Sequence, residues 1–268
     1  MLNKEGEHVL EHAVRVRKGR QLLTTSASRD QVELRLSLPT RQFADLLYGV
    51  VLVLLALSLF FTFLDRQFPN LVGGGWLRRV TDLDGEANLP TLFSVGLLLT
   101  GSCLSLVIAR VGRSAGVGSA NRLHWYFLGC ILLLMAADEL LMFHETLGGL
   151  LGRVLQGTGV YAWILPGVLA VAWFAWFFYR FFRSLPSVVR KLLWLSFLLF
   201  VTGAVGIEFF EAVSRRLTGE IGLSGILLTN VQETLEMLGV VVLLQGLLTY
   251  IRDFLGYPRT QLALHFGD

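Results

Sequence analysis

Long runs of apolar residues, separated by short polar segments, occupy most of this chain. In residues 46–64 and 192–207 the apolar side chains surround the whole circumference of a helix, so neither run has a polar face. Helices of this kind lie in lipid rather than on the surface of a soluble core. We therefore predict an all-α fold, a polytopic membrane bundle of about six transmembrane helices.

Each predicted span has about the 20 residues that a bilayer crossing requires. The six spans are residues 43–64, 90–109, 123–143, 160–179, 192–210 and 230–250. They form a transmembrane domain at 43–251, between an N-terminal tail at 1–42 and a C-terminal tail at 252–268. The lipid bilayer is then the main partner, and the pattern also allows protein partners in a membrane complex or a homo-oligomer.

Composition and charge agree with this interpretation. Hydrophobic residues make up 54% of the chain and charged residues 16%, where soluble domains have about 25% charged residues. The sequence pI of about 9.1 does not indicate nucleic-acid binding, because the basic residues lie between the apolar runs. Tryptophans near the predicted span ends, such as Trp125 and Trp176, are typical of an interfacial aromatic belt.

The basic residues also predict the orientation. Most of the 23 lysines and arginines lie in the two tails and in the loops after spans 2 and 4. The positive-inside rule then places both termini in the cytoplasm. We interpret the chain as a multi-pass protein of a bacterial inner membrane.

With this orientation, acidic side chains collect at the extracytoplasmic ends of several spans. A carboxylate inside a span is costly, so such residues are candidates for function. Several ionised carboxylates near one another require protons, cations or arginine partners. The candidate metal ligands are Glu139, Glu208 and Glu233 at the centre, with Asp138, Glu145, Glu211, Glu236 and His144 around them.

Helical spacing orders these candidates. Asp138 and Glu145 are seven residues apart and share a face, whereas Glu139 is turned by about 100° from Asp138. One regular helix therefore cannot direct all of them to a single ion. The Glu208/Glu211 and Glu233/Glu236 pairs each share a face. The small residues Gly203, Gly206 and Gly239 allow close helix approach, which predicts that both pairs face the bundle interior.

The loop 82–88 has oxygen-bearing side chains at alternate positions around Gly85, which is similar to the opening of a calcium loop. The later ligands of such a loop are missing. Asn88 as a helix cap, with Pro90 in the first turn, is the stronger structural interpretation.

Three functions remain open at this stage. The first is a site for protons or a divalent cation such as calcium, magnesium or manganese, used in ion or solute handling. The second is an accessory or structural subunit of a larger membrane complex. The third is a membrane-embedded metal-dependent enzyme, although the paired Glu-x-x-His motifs of di-iron proteins and the His and Cys ligands of zinc sites are missing.

Four features, taken in order, resemble a group of uncharacterised bacterial multi-span membrane proteins. They are Asp84-x-Glu86-x-Asn88-x-Pro90, Asp138-Glu139 to His144-Glu145, Gly206-x-Glu208, and Glu233-Thr234-Leu235-Glu236-Met237. The resemblance covers about residues 43–250. It implies that these residues form one site, and it implies no particular reaction.

Overall fold

Helices account for every regular element in the part of the chain that the structure describes, which confirms the all-α prediction. The computed structural model describes residues 40–68, 75–112, 118–143, 146–147, 150, 161–210, 213 and 223–255. These residues all belong to one unit, Leu38–Thr260. Most of the two predicted tails therefore lies outside the described residues.

Seven α-helices and one π-helical turn follow one another along these residues. The helices are α1 Thr40–Gln67, α2 Trp76–Thr81, α3 Leu89–Val111, α4 Ser119–Leu141, α5 Tyr161–Ser184, α6 Ser187–Val201 and α7 Leu223–Phe254. The π-helical turn, Thr202–Ile207, continues directly from α6.

Five helices in the described residues are long and apolar enough to cross a membrane. They are Thr40–Gln67, Leu89–Val111, Asn121–Leu141, Ser187–Phe210 and Gly225–Phe254. The remaining predicted span, 160–179, is also helical and forms α5, a helix of 24 residues with Pro166 inside it. The chain is a multi-pass membrane protein.

Two helix ends next to the acidic segments have clear local causes. The side chain of Asn88 accepts a hydrogen bond from the Thr91 backbone N–H at 3.1 Å, and Pro90 lies in the first turn of α3. Both features favour a helix start, so the predicted cap is confirmed. At the other end of the next helix, Met142 has a left-handed backbone (φ 52°) and donates to the Asp138 carbonyl at 2.7 Å. This conformation ends α4.

The last helix, α7, is the centre of the bundle. It packs against α1, α3, α6 and the π-helical turn. Of its most apolar window, 67% is buried inside the protein, compared with 17–44% in the other four spanning helices. A polar residue on α7 is therefore surrounded by protein more completely than one on any of these four helices.

Glycines bring α6 and the π-helical turn close to α7. A Cβ on Gly203 would lie 2.8 Å from the Gln232 carbonyl oxygen, and one on Gly239 would lie 2.9 Å from the Phe200 backbone nitrogen. Only glycine fits at such distances, as is common between membrane helices. The close approach predicted for Gly203 and Gly239 is confirmed, whereas the nearest neighbours of Gly206 are 3.9 Å away.

Aromatic rings join α4, α5 and α7 where α4 begins and α7 ends. We call this group of rings the aromatic end of the bundle. The His124 ring stacks on Phe181 with centroids 4.8 Å apart, and Trp125 meets Tyr250 at 5.0 Å. Trp125 is fully buried (0% exposed), whereas Trp176 is 76% exposed. The Trp125 ring therefore packs between helices, whereas the Trp176 ring faces outward from the bundle. The aromatic end consists of His124, Trp125, Phe177, Phe178, Phe181 and Tyr250.

Candidate carboxylate site

Five of the eight predicted site residues lie in the described part of the chain. Asp138 and Glu139 are in the last turn of α4, Glu208 directly follows the π-helical turn, and Glu233 and Glu236 are in α7. All five are half-buried. The other three, His144, Glu145 and Glu211, lie outside the described residues.

Glutamates from three different helical segments come together. Glu236 interacts electrostatically with Glu139 of α4 and with Glu208 beyond α6. Glu233 interacts electrostatically with Glu236 and Glu139. We call these four residues, Glu139, Glu208, Glu233 and Glu236, the carboxylate cluster. The structure therefore brings together three of the segments that the sequence suggested would converge.

Glu236 occupies the middle of this arrangement. The sequence pattern had predicted a peripheral position for it, around the preferred ligands Glu139, Glu208 and Glu233. In the structure, the Cγ atom of Glu236 would lie 2.9 Å from a Cβ on Gly203. The side chain of Glu236 thus packs directly against the π-helical turn that leads to Glu208.

The π-helical turn is the local feature that the sequence did not reveal. Single π-helical turns inside α-helices are rare and occur frequently at functional sites. This one, Thr202–Ile207, includes Gly203 and Gly206 and ends at Glu208. Because a π-turn adds a residue to the helical repeat, it changes the direction in which the following side chains leave the helix. The orientation of Glu208 therefore cannot be read from regular helical spacing.

The carboxylates of α7 lie well inside this helix. The sequence analysis placed Glu233 and Glu236 in the first turns of a span that begins at residue 230. Helix α7 begins at Leu223 instead, and the part of it that is long and apolar enough to cross a membrane begins at Gly225. With a rise of about 1.5 Å per residue, Glu233 and Glu236 lie about 12 and 17 Å along the helix from Gly225.

The end of α4 also differs from the expectation. The predicted span continued to residue 143, and the comparison of Asp138 with Glu145 assumed a regular helix throughout. Helix α4 ends at Leu141, and Met142 has left-handed geometry. The regular helix on which that comparison rested therefore ends before Glu145, which itself lies outside the described residues.

The acidic loop before α3 contributes to the same region. Glu233 also interacts electrostatically with Asp84 and Glu86, which are both exposed. The Leu83 backbone N–H donates to Ser58 Oγ of α1 at 3.2 Å in a buried position. This contact ties the loop to the bundle beside α7.

The other polar groups of this loop have structural roles. Asp82 forms an ion pair with Arg78 at 3.5 Å and accepts a hydrogen bond from the Asp84 backbone N–H at 3.3 Å. Asn88 Nδ2 donates to the Asp82 carbonyl at 2.6 Å, while its Oδ1 caps α3. Asp82 and Asn88 therefore stabilise the turn, which favours the capping interpretation over a calcium loop.

Two amide side chains of α7 were missed as site residues. Gln232 donates a side-chain hydrogen bond to Glu236, one turn further along α7. Asn230 is 2% exposed and lies one turn before Glu233 on the same helix face. The signal in the sequence was the presence of two amide side chains in an apolar span. Residue 230 served only as the predicted first residue of that span.

Among the residues that the structure describes, the carbonyl oxygens of these two amides are buried and find no hydrogen-bond donor. Asn230 Nδ2 donates to the Ile226 carbonyl at 2.8 Å, and the Gln232 amide nitrogen is used by Glu236. Asn230 Oδ1 and Gln232 Oε1 have no partner. A buried acceptor without a donor is unfavourable.

The described carboxylates are not arranged like the ligands of a bound metal ion. Calcium and magnesium need several oxygen atoms that converge on one point at about 2.0–2.6 Å. Within the described ranges, no group of three or more His, Cys, Asp or Glu side chains could hold a metal ion. The metal role of the eight candidates stays a prediction, since three of them lie outside those ranges.

The fold and this cluster define a class: multi-pass α-helical membrane proteins with several glutamates gathered around a central helix. The chain belongs to the family described as Domain of unknown function (DUF8692), which matches residues 46–251. No curated protein and no solved structure matches the chain.

Proposed function

We propose that this protein exchanges protons or a cation at the carboxylate cluster, as part of ion or solute handling across a bacterial inner membrane. The main support is the position of Glu233 and Glu236. They lie on the most buried of the five spanning helices and interact with glutamates from two other segments. Repulsion among carboxylates in a protein interior is relieved by protons or by a bound cation.

Protons fit the described geometry better than a divalent metal ion. Each carboxyl group binds its proton separately, so the four glutamates do not need to converge on one point. Calcium, magnesium or manganese would need further ligands, for which Glu145, Glu211 and His144 are the candidates. The predicted orientation opens the cluster toward the extracytoplasmic side, where all of these residues would lie.

The proposal is tested with purified protein in lipid nanodiscs. Proton release into weakly buffered solution is recorded in a pH titration of the wild type and the Glu236→Gln and Glu233→Gln variants. Asp253→Asn is the matched control, because Asp253 is 40% exposed and pairs with Arg252 at the end of α7. Each of the three variants removes one carboxyl group and therefore one titrating proton. We expect the two glutamine variants to lose proton release near neutral pH that the control keeps, and release near neutral pH that is unchanged in both would contradict the proposal.

The same nanodisc preparation tests whether the carboxylate cluster binds a divalent metal ion instead of protons. Calcium, magnesium and manganese are each added at constant pH, and binding is measured by calorimetry. Saturable binding of one of them that disappears in Glu208→Gln and Glu233→Gln would assign the cluster to a divalent cation. A proton gradient assay in liposomes then shows whether exchange at the cluster is coupled to transport.

A further inference from the structure

The outer face of α5 combines basic and aromatic side chains that the carboxylate cluster does not use. We propose that this face and the start of α6 bind an anionic phospholipid, with its phosphate at the arginines and its acyl chains along the tryptophans. This inference is independent of the proposed function. We call the surface the lipid stripe, and it consists of Leu169, Trp173, Trp176, Arg180, Arg183 and Arg190.

The hairpin that α5 and α6 form carries positive charge only. Residues 161–207, which include both helices and the π-helical turn, contain four basic side chains and no acidic one. The four are Arg180, Arg183, Arg190 and Lys191, and they lie on either side of the short turn between the helices. Because no carboxylate on this hairpin neutralises them, an anion is the ligand that complements it.

The lipid stripe lies on the side of α5 that faces away from the bundle. Phe178 is fully buried against the neighbouring helices (0% exposed). On the helical period of 3.6 residues, Trp176 and Arg180 are each turned by about 160° from Phe178, and Trp173 and Arg183 by about 140°. These four side chains are all exposed. The surroundings of a membrane-spanning helix therefore have direct access to the stripe.

The order of residues along the stripe matches the order of parts in a phospholipid. Trp173 and Trp176, which are 48% and 76% exposed, come before Arg180 and Arg183 on the same helix. With a rise of about 1.5 Å per residue, Trp173 lies about 15 Å along the axis from Arg183. A free phosphate would contact the arginines and leave both tryptophans uncovered, whereas the acyl chains of a lipid cover them. This arrangement favours a lipid over a soluble anion.

Two hydrogen bonds hold the arginines at the end of the stripe. Arg183 Nη1 donates to Tyr179 Oη at 3.3 Å, and its guanidinium lies 5.7 Å from the centre of the Tyr179 ring. Arg190 Nη1 donates to the Arg183 carbonyl oxygen at 3.3 Å, which brings a guanidinium of α6 to the end of α5. A guanidinium has five N–H donors, so each of these arginines keeps donors for a phosphate.

The test measures lipid retention by the full-length protein in detergent with native mass spectrometry. Phosphatidylglycerol and phosphatidylcholine with identical acyl chains are titrated separately, so that only the headgroup differs. We expect saturable binding of phosphatidylglycerol that is clearly tighter than binding of phosphatidylcholine. Equal binding of the two lipids would overturn the inference.

Inorganic phosphate distinguishes a lipid from a free anion. Added at the same concentration as phosphatidylglycerol, it should leave the bound lipid in place, because it cannot contact Trp173 and Trp176. Displacement of the lipid by inorganic phosphate would show that the arginines take a soluble anion, and the lipid assignment would be wrong.

Variants locate the headgroup at the arginines of α5. Arg180→Gln and Arg183→Gln should each weaken binding of phosphatidylglycerol about fivefold, which corresponds to about 1 kcal/mol. Arg110→Gln is the matched control, because Arg110 is an exposed arginine in the last turn of α3, outside the lipid stripe. If Arg110→Gln weakens binding as much as the two variants of α5, general positive charge attracts the lipid and the inference is wrong.

A tryptophan variant tests the acyl-chain part of the stripe. Trp176→Ala should weaken binding of phosphatidylglycerol, and Trp76→Ala should not, although Trp76 of α2 is also exposed (59%). Equal binding by these two variants would contradict the acyl-chain assignment. All variants change exposed side chains, and each is first checked for cooperative thermal unfolding.

The two proposals fail independently. Proton exchange at the carboxylate cluster should be the same in Arg183→Gln as in the wild type, because the lipid stripe contains none of the cluster residues. If phosphatidylglycerol does not bind, the lipid inference is wrong and the proposed function stands. If the glutamate variants leave proton exchange unchanged, the proposed function is wrong and the lipid stripe stands.

Discussion

The two ends of the bundle use opposite chemistry. At the aromatic end, rings from three helices stack and are largely buried, with Trp125 at 0% exposure against Phe181 and Tyr250. At the other end, the carboxylate cluster brings like charges together. The first arrangement stabilises a fold, whereas the second opposes it.

This difference separates stability from function within one molecule. Groups that violate the usual rules of burial are expected at functional sites, with the loss of stability offset elsewhere. The glycine contacts of Gly203 and Gly239 and the ring stacks of the aromatic end are the compensating features. Substitutions at the aromatic end should therefore reduce stability, and substitutions of the cluster acids should change ligand exchange with little loss of stability.

The largest effect is expected for Trp125→Ala. Removal of a fully buried tryptophan leaves a cavity, and such changes destabilise proteins by about 3–5 kcal/mol. The free energy of unfolding in detergent is the measurement. Trp176→Ala is the matched control, because Trp176 is 76% exposed, and it should change stability by less than about 0.5 kcal/mol. Equal losses for both variants would contradict the contrast between buried and lipid-facing rings.

An intermediate effect is expected where α7 meets the π-helical turn. In Gly203→Ala the new Cβ would lie 2.8 Å from the Gln232 carbonyl oxygen and 2.9 Å from Glu236 Cγ. Overpacking of this kind destabilises by about 1–3 kcal/mol, and it should also shift proton exchange because Glu236 must move. Gly96→Ala, where no atom lies within 4 Å, serves as the control in the same unfolding and titration experiments. A titration that Gly203→Ala leaves unchanged would show that the π-helical turn does not position the cluster.

The smallest effect is expected for the loop beside the cluster. Asn88→Ala removes the cap of α3 and the hydrogen bond from Asn88 Nδ2 to the Asp82 carbonyl. Loss of a cap costs about 1 kcal/mol, detectable as a lower unfolding temperature. Thr100→Ala, which removes only an exposed bond to the Gly96 carbonyl on the same helix, is the control. The account of the loop fails if the two variants have equal unfolding temperatures.

Much of the fold follows from the apolar pattern alone. Runs that are apolar on all sides leave lipid as the only favourable surroundings, and this predicted the all-α membrane bundle. The Asn88 cap was predictable because its chemistry is local. The start of α7 was not: the predicted span began at Asn230 and left out residues 223–229, which belong to the same helix.

The four residues of the carboxylate cluster could be named from the sequence, whereas their arrangement could not. The cost of carboxylates in apolar spans identified Glu139, Glu208, Glu233 and Glu236, and the structure brings them together. The central position of Glu236 depends on the π-helical turn, which periodicity cannot reveal because it breaks the period. The unpartnered amide oxygens depend on tertiary packing, which has no signature in one sequence.

Infrared difference spectroscopy of the carboxyl groups examines the carboxylate cluster directly. Spectra are recorded for the wild type in nanodiscs between two pH values, and again with Glu233→Gln and Glu236→Gln. A protonated carboxyl band that changes with pH in the wild type should be reduced in each variant and reduced further in the double variant. A band with equal intensity in all four proteins would show that these two glutamates do not exchange protons, and would contradict the proposed function.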